Sequence, residues 1–362
     1  MIEIRPFDFA KDWTHYCALH HQARGRAVDQ AFIKWKYFDN PAGQPIAYGA
    51  WDDDRLPASG IDKTSASSVE PLSLTSPGKL VGFAALIPQR FCVQGEEHII
   101  GMGEDMAAPN YDREEIVVRL TEKLLEDMSA KGWLWSYHVA TKKDGEIYVN
   151  RLGHTKVAEI PCWVKIRKWR LVKKWLGLKG RPRETAGFRM AYHSYRVRMV
   201  REFDARFDQL WERCRNEHPI SVVKDVKYLK WRYLDRPDGQ HQVLTVEDQG
   251  KLKGYAVLWC GDLLELFCEV DTDAYKTLAK AIDKVWKSTS QGISRAYILG
   301  NILVEKALAE KGWRERSGAY TGLGGHEAFS LHVYSVPNLI TAPLCLKGAN
   351  WRLSMADTTL VQ

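Results

Sequence analysis

Short segments rich in β-branched and aromatic residues alternate along the chain with longer segments of helical periodicity. Residues 81–87 and 255–259 are of the first kind and predict buried strands. The segment after Pro109 carries an apolar stripe with helical spacing, at Ile116, Leu120, Leu124 and Met128. The second half has a similar stripe, at Tyr275, Leu278, Ile282, Val285 and Trp286. This alternation predicts an α/β (α+β) fold of two domains, each a mixed, twisted sheet flanked by helices.

The chain contains an internal repeat. FIKWKYFDNPAGQ, at residues 32–44, matches YLKWRYLDRPDGQ, at residues 228–240, with seven of thirteen positions identical. The segments that follow also match, since GKLVGFAAL at residues 78–86 corresponds to GKLKGYAVL at residues 250–258. Both copies predict the end of a helix, with aromatic side chains packed on a sheet and a Pro-Gly turn behind them. The pattern indicates a tandem duplication.

Changes in composition predict the domain organisation. We expect a first domain at residues 1–168, interrupted by a flexible insertion at residues 55–78 where Ser, Thr, Pro, Ala and Gly dominate. A basic linker at residues 169–195 leads to a second domain at residues 196–362. The insertion lies between two predicted strands, so it interrupts a hairpin rather than separating domains.

The positive charge of the chain is concentrated in one window. The formal net charge is +7, but residues 165–201 hold thirteen Lys or Arg and one acid, so this window carries +12 and the rest −5. Trp169 and Trp175 interleave with these basic residues, which is typical of a basic amphipathic helix on an anionic surface. A linker helix packed on a neighbouring element is the structural alternative. We expect no nucleic-acid partner and regard an anionic membrane surface as a candidate partner.

The sequence lacks the signals of a membrane-spanning protein, a secreted protein and a zinc or disulfide-rich protein. No stretch reaches the roughly 18 apolar residues of a spanning helix, and the N-terminus shows no secretory signal, so we expect a cytoplasmic protein, with peripheral contact at the inner membrane face as a variant. The seven cysteines form no CxxC pair, which argues against a disulfide framework or a zinc site. The sequence therefore predicts no metal cofactor.

The order of these elements and motifs resembles the GNAT acyltransferases. The resemblance rests on KWKYFDNPAG, the paired strands around GKLVGFAAL, APNYDREE before a helix, and RLGH before a late strand. It is closest to the tandem GNAT-like proteins associated with bacterial polysaccharide genes, and it extends to NWRLSMAD at residues 350–357. It implies two GNAT-like domains and transfer of an acyl group from acetyl-CoA or another acyl-CoA to a small-molecule amine or amino sugar. The first half is the expected location of the cleft.

The resemblance also implies a set of catalytic residues. GNAT proteins splay their fourth and fifth strands around the pantetheine arm of acyl-CoA and often use a fourth-strand glutamate as base, which points to Glu104 or Asp105. Many use a tyrosine three residues before a Leu-Gly pair as general acid. That position is Val149 here, and Tyr148 lies one residue earlier, about 100° around a helix.

The remaining expected contacts lie close to these residues. Strand backbone at Met106, Ala107 and Ala108 is expected to orient the donor, and Arg113 is the nearby cation for its phosphates. Trp35, Tyr37 and His138 are the candidate substrate-binding side chains. For His138, a core histidine with satisfied hydrogen bonds is the alternative.

The chain departs from the family pattern where the diphosphate would bind. GNAT proteins place glycines before the helix that follows the fourth strand, whereas this chain has Asp112, Glu114 and Glu115. Acids at a helix start stabilise the helix but repel phosphate. Two alternatives therefore stay open: a non-catalytic GNAT-fold binding or scaffold protein, and an acyltransferase with a donor other than CoA, such as an acyl carrier protein or aminoacyl-tRNA.

Overall fold

The computed structural model describes residues 2–25, 27–53, 78–109, 113–176, 187–239, 241–289, 291–316, 328–336 and 339–358. The predicted insertion at residues 55–78 lies outside these ranges except for Gly78, and so does much of the predicted basic linker. No helix in the described part of the chain is long and apolar enough to cross a bilayer.

The described residues of the first half form seven strands and five α-helices, with a π-helical segment after α2. Their bounds are β1 Ile2–Pro6, α1 Phe9–Arg24, α2 Gln30–Ile33, the π-helix Lys34–Phe38, β2 Ile46–Asp52, β3 Lys79–Val93, β4 Glu96–Ala107, α3 Arg113–Ala130, β5 Trp135–Ala140, α4 Lys142–Leu152, β6 Thr155–Ile160, β7 Cys162–Ile166 and α5 Lys168–Trp175.

The second half repeats much of this order. Its elements are β8 Arg189–Tyr192, β9 Tyr195–Val200, α6 Ala205–Cys214, β10 Ile220–Val222, α7 Val226–Leu229, the π-helix Lys230–Leu234, β11 Gln242–Asp248, β12 Lys251–Trp259, β13 Asp262–Cys268, α8 Thr272–Ser288, β14 Ile293–Leu299, α9 Ile302–Glu310, β15 Arg314–Arg316, β16 Phe329–Ser335, α10 Ala342–Cys345, the short helix Gly348–Asn350, β17 Trp351–Ser354 and the short helix Met355–Asp357.

Local sequence signals explain where these helices lie. The side chain of Asp8 caps α1 by accepting from the Ala10 amide, and Gly25 ends the helix with a φ of 67°. The predicted stripe of α3 is buried and packs against β2 and β3, beside residues such as Tyr48 and Leu86. In the second half, Asp271 caps α8 by accepting from two amides of its first turn. The predicted alternation of strands and helices is confirmed.

Strands from both halves share one sheet. The strand order in the large sheet is β15-β7-β14-β17-β10-β3-β4-β5-β16-β6. Strand β2 also pairs with β3, and β1 pairs with β2. The strand order in the small sheet is β13-β12-β11-β9-β8. Strand β7, from the first half, pairs with β14 and β15, while β16, from the second half, pairs with β5 and β6. Strand pairing therefore crosses the predicted boundary at residue 168.

The two copies of the sequence repeat adopt the same local structure and pack on each other. Each forms a four-residue α-helix that continues as a five-residue π-helix. The indole of Trp35 donates to the Trp231 carbonyl at 2.6 Å, and the indole of Trp231 donates to the Trp35 carbonyl at 2.9 Å. The two rings stack with centroids 5.1 Å apart. The repeat thus joins the halves through a reciprocal pair of tryptophans.

Candidate functional site

The first half contains a cleft where β4 and β5 separate. These parallel strands pair only at Gly101 with Ser136 and at Met102 with Tyr137. Beyond Met102 the strands diverge and enclose a cleft of about 240 Å³. Its walls come from the ends of both strands, the start of α4 and the side chain of Arg24. The chain therefore has the V-shaped opening that the resemblance implies.

A bulge in β4 shapes one wall of this cleft. Phe83 of β3 pairs with Ala107 and Ala85 pairs with Glu104, so Asp105 and Met106 lie opposite the single residue between Phe83 and Ala85, and β4 holds one extra residue there. Asp105 has a φ of 50°, a left-handed conformation that is uncommon outside glycine. Bulges redirect side chains, and this one directs Asp105 into a buried cluster of donors.

Asp105 accepts four hydrogen bonds from residues distant in sequence. Lys36 Nζ lies 2.8 Å from one carboxylate oxygen, which the hydroxyls of Tyr37 and Tyr16 also contact at 2.6 and 3.1 Å. Arg24 donates to the other oxygen at 2.9 Å. Burial alone would raise the pKa of Asp105, but the charges of Lys36 and other neighbouring cations hold it well below its usual range.

This environment does not suit Asp105 to act as a base. A carboxylate that accepts four hydrogen bonds and faces two cations has little tendency to take a proton. The ion pair with Asp105 instead holds the Arg24 side chain at the cleft wall. The side chain of Glu104, the other predicted base, lies outside what the structure describes.

Tyr148 forms another part of the wall. It is buried on α4, and its hydroxyl lies 3.7 Å from Met106 Sδ, to which it donates. The neighbouring Val149 is 41% exposed, so the helix turns Tyr148 rather than Val149 towards the cleft. Helix α4 is held by a Thr141 cap at its start and by Gly153, with a φ of 66°, at its end. The structure thus places the predicted tyrosine in the cleft.

Three buried histidines lie behind Tyr148. His138 packs against Tyr148 in a tilted arrangement with ring centroids 4.3 Å apart, and the centroid of the His154 ring lies 5.0 Å from that of His138. His332, on β16, pairs directly with His138 across the sheet, and its Nε2 is 2.9 Å from the Ser330 hydroxyl. In the described part of the chain, His138 Nε2 and His154 Nε2 have no hydrogen-bond partner. His138 is thus a buried histidine that also lines the cleft.

Burial keeps this histidine set neutral. It lowers the pKa of His138 well below the usual value, helped by the charges of His154 and His332, and it lowers the pKa of His154 to about 4. Glycines make room for the rings, since a Cβ at Gly103 would lie 1.9 Å from the His138 imidazole. A Cβ at Gly145 would lie 2.4 Å from His332 Nε2. Sequence reasoning missed His332, because only the pairing of β16 with β5 brings it here.

The predicted phosphate-binding end is described only in part. Residues 110–112 and the side chain of Arg113 lie outside the description, so the role of Arg113 stays a prediction. Arg151 of α4 contacts Glu114 at 2.9 Å and Glu115 at 3.4 Å. This arginine, which sequence reasoning missed, partly neutralises the two acids at the start of α3.

The other predicted residues lie next to the cleft rather than in it. Ala107 is buried in the ladder with Phe83, and Ala108 packs in the core against α3. The Tyr37 hydroxyl donates a hydrogen bond to the Asp105 carboxylate. Trp35 stacks on Trp231 and lines neither this cleft nor the adjoining cleft beside α1. This geometry therefore does not support its predicted contact with substrate. Its position between the repeats explains its burial instead.

A second cleft, of about 200 Å³, shares a wall with the first. It is lined by residues of α1, by residues 27–29 and α2, and by Asp238 from the second half. Arg24 and Asp105 line both clefts. The Arg24–Asp105 ion pair, at 2.9 Å, therefore separates two adjoining openings. Among the described residues, no group of three or more His, Cys, Asp or Glu is arranged to hold a metal ion.

The corresponding place in the second half is closed. Strands β13 and β14 form no ladder with each other in the described residues, and β17 and the Met355–Asp357 helix lie between them. Lys224 there contacts Glu265 at 2.9 Å and also binds Asp357. The remaining space is about 20 Å³. The open cleft thus lies in the first half.

Comparison with known proteins identifies the fold. No family model matches the chain, and no curated protein matches it either. A probable N-acyltransferase from Enterococcus faecalis V583 is similar in structure, with a TM-score of 0.60, 12% identity and coverage of 93% of this chain and 73% of that one.

Two further structures agree. A GCN5-related N-acetyltransferase from Anabaena variabilis has a TM-score of 0.59 at 10% identity, covering 92% of this chain and 72% of its own. Saccharomyces cerevisiae N-myristoyltransferase, solved with bound myristoyl-CoA and inhibitors, has a TM-score of 0.58 at 11% identity, covering 99% and 86%. The chain therefore has the fold of the GNAT-type N-acyltransferases.

Proposed function

We propose that the protein is an N-acyltransferase that binds an acyl-CoA between β4 and β5 of its first half and transfers the acyl group to an amine. The observation that carries this proposal is the opening between these strands, which leaves a cleft of about 240 Å³. Among the described residues, nothing pairs with β4 on the β5 side past Met102. Its free backbone groups suit an extended ligand that carries amides, as the pantetheine arm does.

The start of α3 fits the diphosphate of CoA less well than the cleft fits the arm. Glu114 and Glu115 are acidic, and Arg151, which contacts both, compensates one of their two charges. A helix start still offers free amides to an anion. We therefore retain acyl-CoA as the donor and assign Arg113 and Arg151 to its phosphates.

The reaction is direct transfer. The amine nitrogen bonds to the thioester carbonyl carbon, the carbon–sulfur bond breaks, the amine loses a proton to water in the cleft, and the leaving thiolate gains one. Tyr148 is the proton donor to that thiolate, since it lines the cleft beside Met106, and it regains a proton from the water that took the amine proton. His138 packs against the Tyr148 ring and holds it in place.

The second cleft is the proposed entry for the acceptor. It adjoins the first at the Arg24–Asp105 pair, so an amine bound there lies next to the acyl group. From the sequence resemblance alone, we propose a small-molecule amine or amino sugar as the acceptor, in cell-surface polysaccharide assembly.

The decisive experiment places a large side chain in the cleft proposed for acyl-CoA. Val139 lines it, whereas Val149 is exposed on α4, so Val139→Trp and Val149→Trp make the same change inside and outside the cleft. Acetyl-CoA should stabilise the wild type and Val149→Trp by about 2.7 kcal/mol at a hundredfold excess over Kd, measured by thermal shift. Val139→Trp should show no shift.

Catalysis is tested separately on Tyr148. Tyr148→Phe should lower kcat by about a hundredfold in an assay that follows acetylated amine by mass spectrometry, while the thermal shift with acetyl-CoA persists. If acetyl-CoA stabilises none of the proteins, CoA is not the donor. A shift with an acyl carrier protein would then indicate another donor, and no shift with either would indicate a non-catalytic binding protein.

A further inference from the structure

Helix α5 presents an apolar face to solvent. Trp169 is 66% exposed, Trp175 is 84% exposed, and Val172 and Leu176 are 43% and 53% exposed. Trp169, Val172 and Leu176 follow the i, i+3, i+7 spacing, so they lie on one side of the helix, with Trp175 beside them. Three large apolar side chains on a two-turn helix and a fourth, Leu176, in the turn directly after it form a patch, unlike the scattered exposed residues of an ordinary surface.

The other side of α5 is attached to the second half. Leu171 packs on Gly292, where an added Cβ would come within 2.6 Å of the leucine side chain. Just before the helix, the Arg167 amide donates to the Gly292 carbonyl at 2.7 Å, and the Arg167 guanidinium donates to the Lys287 carbonyl at 3.1 Å. The apolar face therefore points outward from a fixed position.

Basic residues accompany this face in the sequence. Lys168 is exposed on the helix, Arg170 follows two residues later, and the sequence window of residues 165–201 carries +12. Such a combination suits a surface that offers negative charge and an apolar layer together. A bilayer with anionic lipids offers both, because Trp rings favour the headgroup region and basic side chains favour anionic headgroups.

We propose that α5 is a membrane-surface helix that docks this protein on bilayers with anionic lipids through Trp169, Val172, Trp175 and Leu176. Nucleic acid fits the patch less well. Its bases stack on tryptophan, but the aliphatic Val172 and Leu176 contribute nothing to stacking. This inference does not depend on the proposed acyl transfer.

The test is vesicle flotation of the full-length protein. Wild type should float with vesicles that contain about 30 mol% phosphatidylserine and stay behind with pure phosphatidylcholine. Trp169→Ala/Trp175→Ala should lower the bound fraction at least about tenfold, since these two rings supply most of the inserted area. Val270→Ala/Ile340→Ala, which removes exposed apolar residues elsewhere, should bind like wild type.

Charge is tested in the same assay. Lys168→Gln/Arg170→Gln should weaken binding about fivefold for each removed charge, and about 1 M NaCl should weaken wild type similarly. Lys123→Gln/Lys251→Gln, at exposed positions elsewhere, is the matched control. Unchanged melting temperatures show that the variants are folded.

Two results overturn the proposal. One is equal flotation of wild type and Trp169→Ala/Trp175→Ala. The other is tight binding of the wild type to single-stranded RNA, lost in the same double variant, with no flotation on anionic vesicles.

Discussion

The two halves of this protein begin from the same repeat and end with different sites. In each half, a tyrosine of the π-helix donates a hydrogen bond to a carboxylate on the strand that follows the GKLVGFAAL or GKLKGYAVL segment. These pairs are Tyr37 with Asp105 on β4 and Tyr233 with Glu265 on β13. In the first half the space beyond is an open cleft, while in the second β17 and the Met355–Asp357 helix fill it. Equivalent scaffolds can therefore hold a ligand cleft or an internal structural contact, depending on what a distant segment places between the strands.

The buried charges differ in the same way. Asp105 has two cations, Lys36 and Arg24, and Arg24 reaches the cleft. In the second half, Lys224 serves two acids, Glu265 and Asp357, all deeply buried. The Asp105 cluster therefore has more cations than acids, whereas the Lys224 cluster has more acids than cations.

The largest expected effect comes from Lys224→Met. This change leaves two buried acids without their cation and should lower the free energy of unfolding by about 3–5 kcal/mol in urea denaturation. Lys227→Met, at an exposed neighbouring position, should change stability by less than about 0.5 kcal/mol. Similar losses in both variants would show that the Lys224 cluster does not stabilise the second half.

The next effect is the contribution of His154, in the first half, to the pH dependence of stability. The pKa of His154 is lowered to about 4 in the folded chain by burial, below its unfolded value near 6.5. The unfolded state therefore takes up the proton first, and stability should fall by about 3 kcal/mol as pH drops from about 6.5 to about 4. Denaturation across this range measures it.

Substitution separates this group from other titrating residues. His154→Gln should reduce the slope of stability between about pH 6.5 and about pH 4 by the share of one histidine, because His138, His218 and His241 also have lowered pKa values. His193→Gln, at an exposed position, should leave the slope unchanged. An unchanged slope in His154→Gln would show that His154 does not contribute to the pH dependence.

A smaller loss is expected for Lys36→Met. Asp105 then keeps Arg24 and two tyrosine hydroxyls, so the cost should be about 2 kcal/mol, below that of Lys224→Met. Lys34→Met, at a position 68% exposed, is the control for this measurement. If Lys36→Met costs as much as Lys224→Met, then Arg24 does not compensate and the proposed contrast between the halves fails.

Much of the fold and part of the site could be predicted. The spacing of Ile116, Leu120 and Leu124 predicted α3 and its buried face, because helical periodicity is a local property. Tyr148 could be placed near the cleft from the helix that carries it. Asp105 was found, but its role was not, because Tyr16 and Arg24 lie more than 80 positions away.

The sequence by itself determined the repeat, the helices and strands, the acids around the start of α3 and the basic window. These follow from periodicity, caps and turns that act over a few residues. The tertiary structure alone decided that Trp35 meets Trp231, that β16 brings His332 to His138, and that β17 and the Met355–Asp357 helix fill the space between β13 and β14. Such pairings depend on which distant segments the sheet brings together, and spacing along the chain carries no information about that choice.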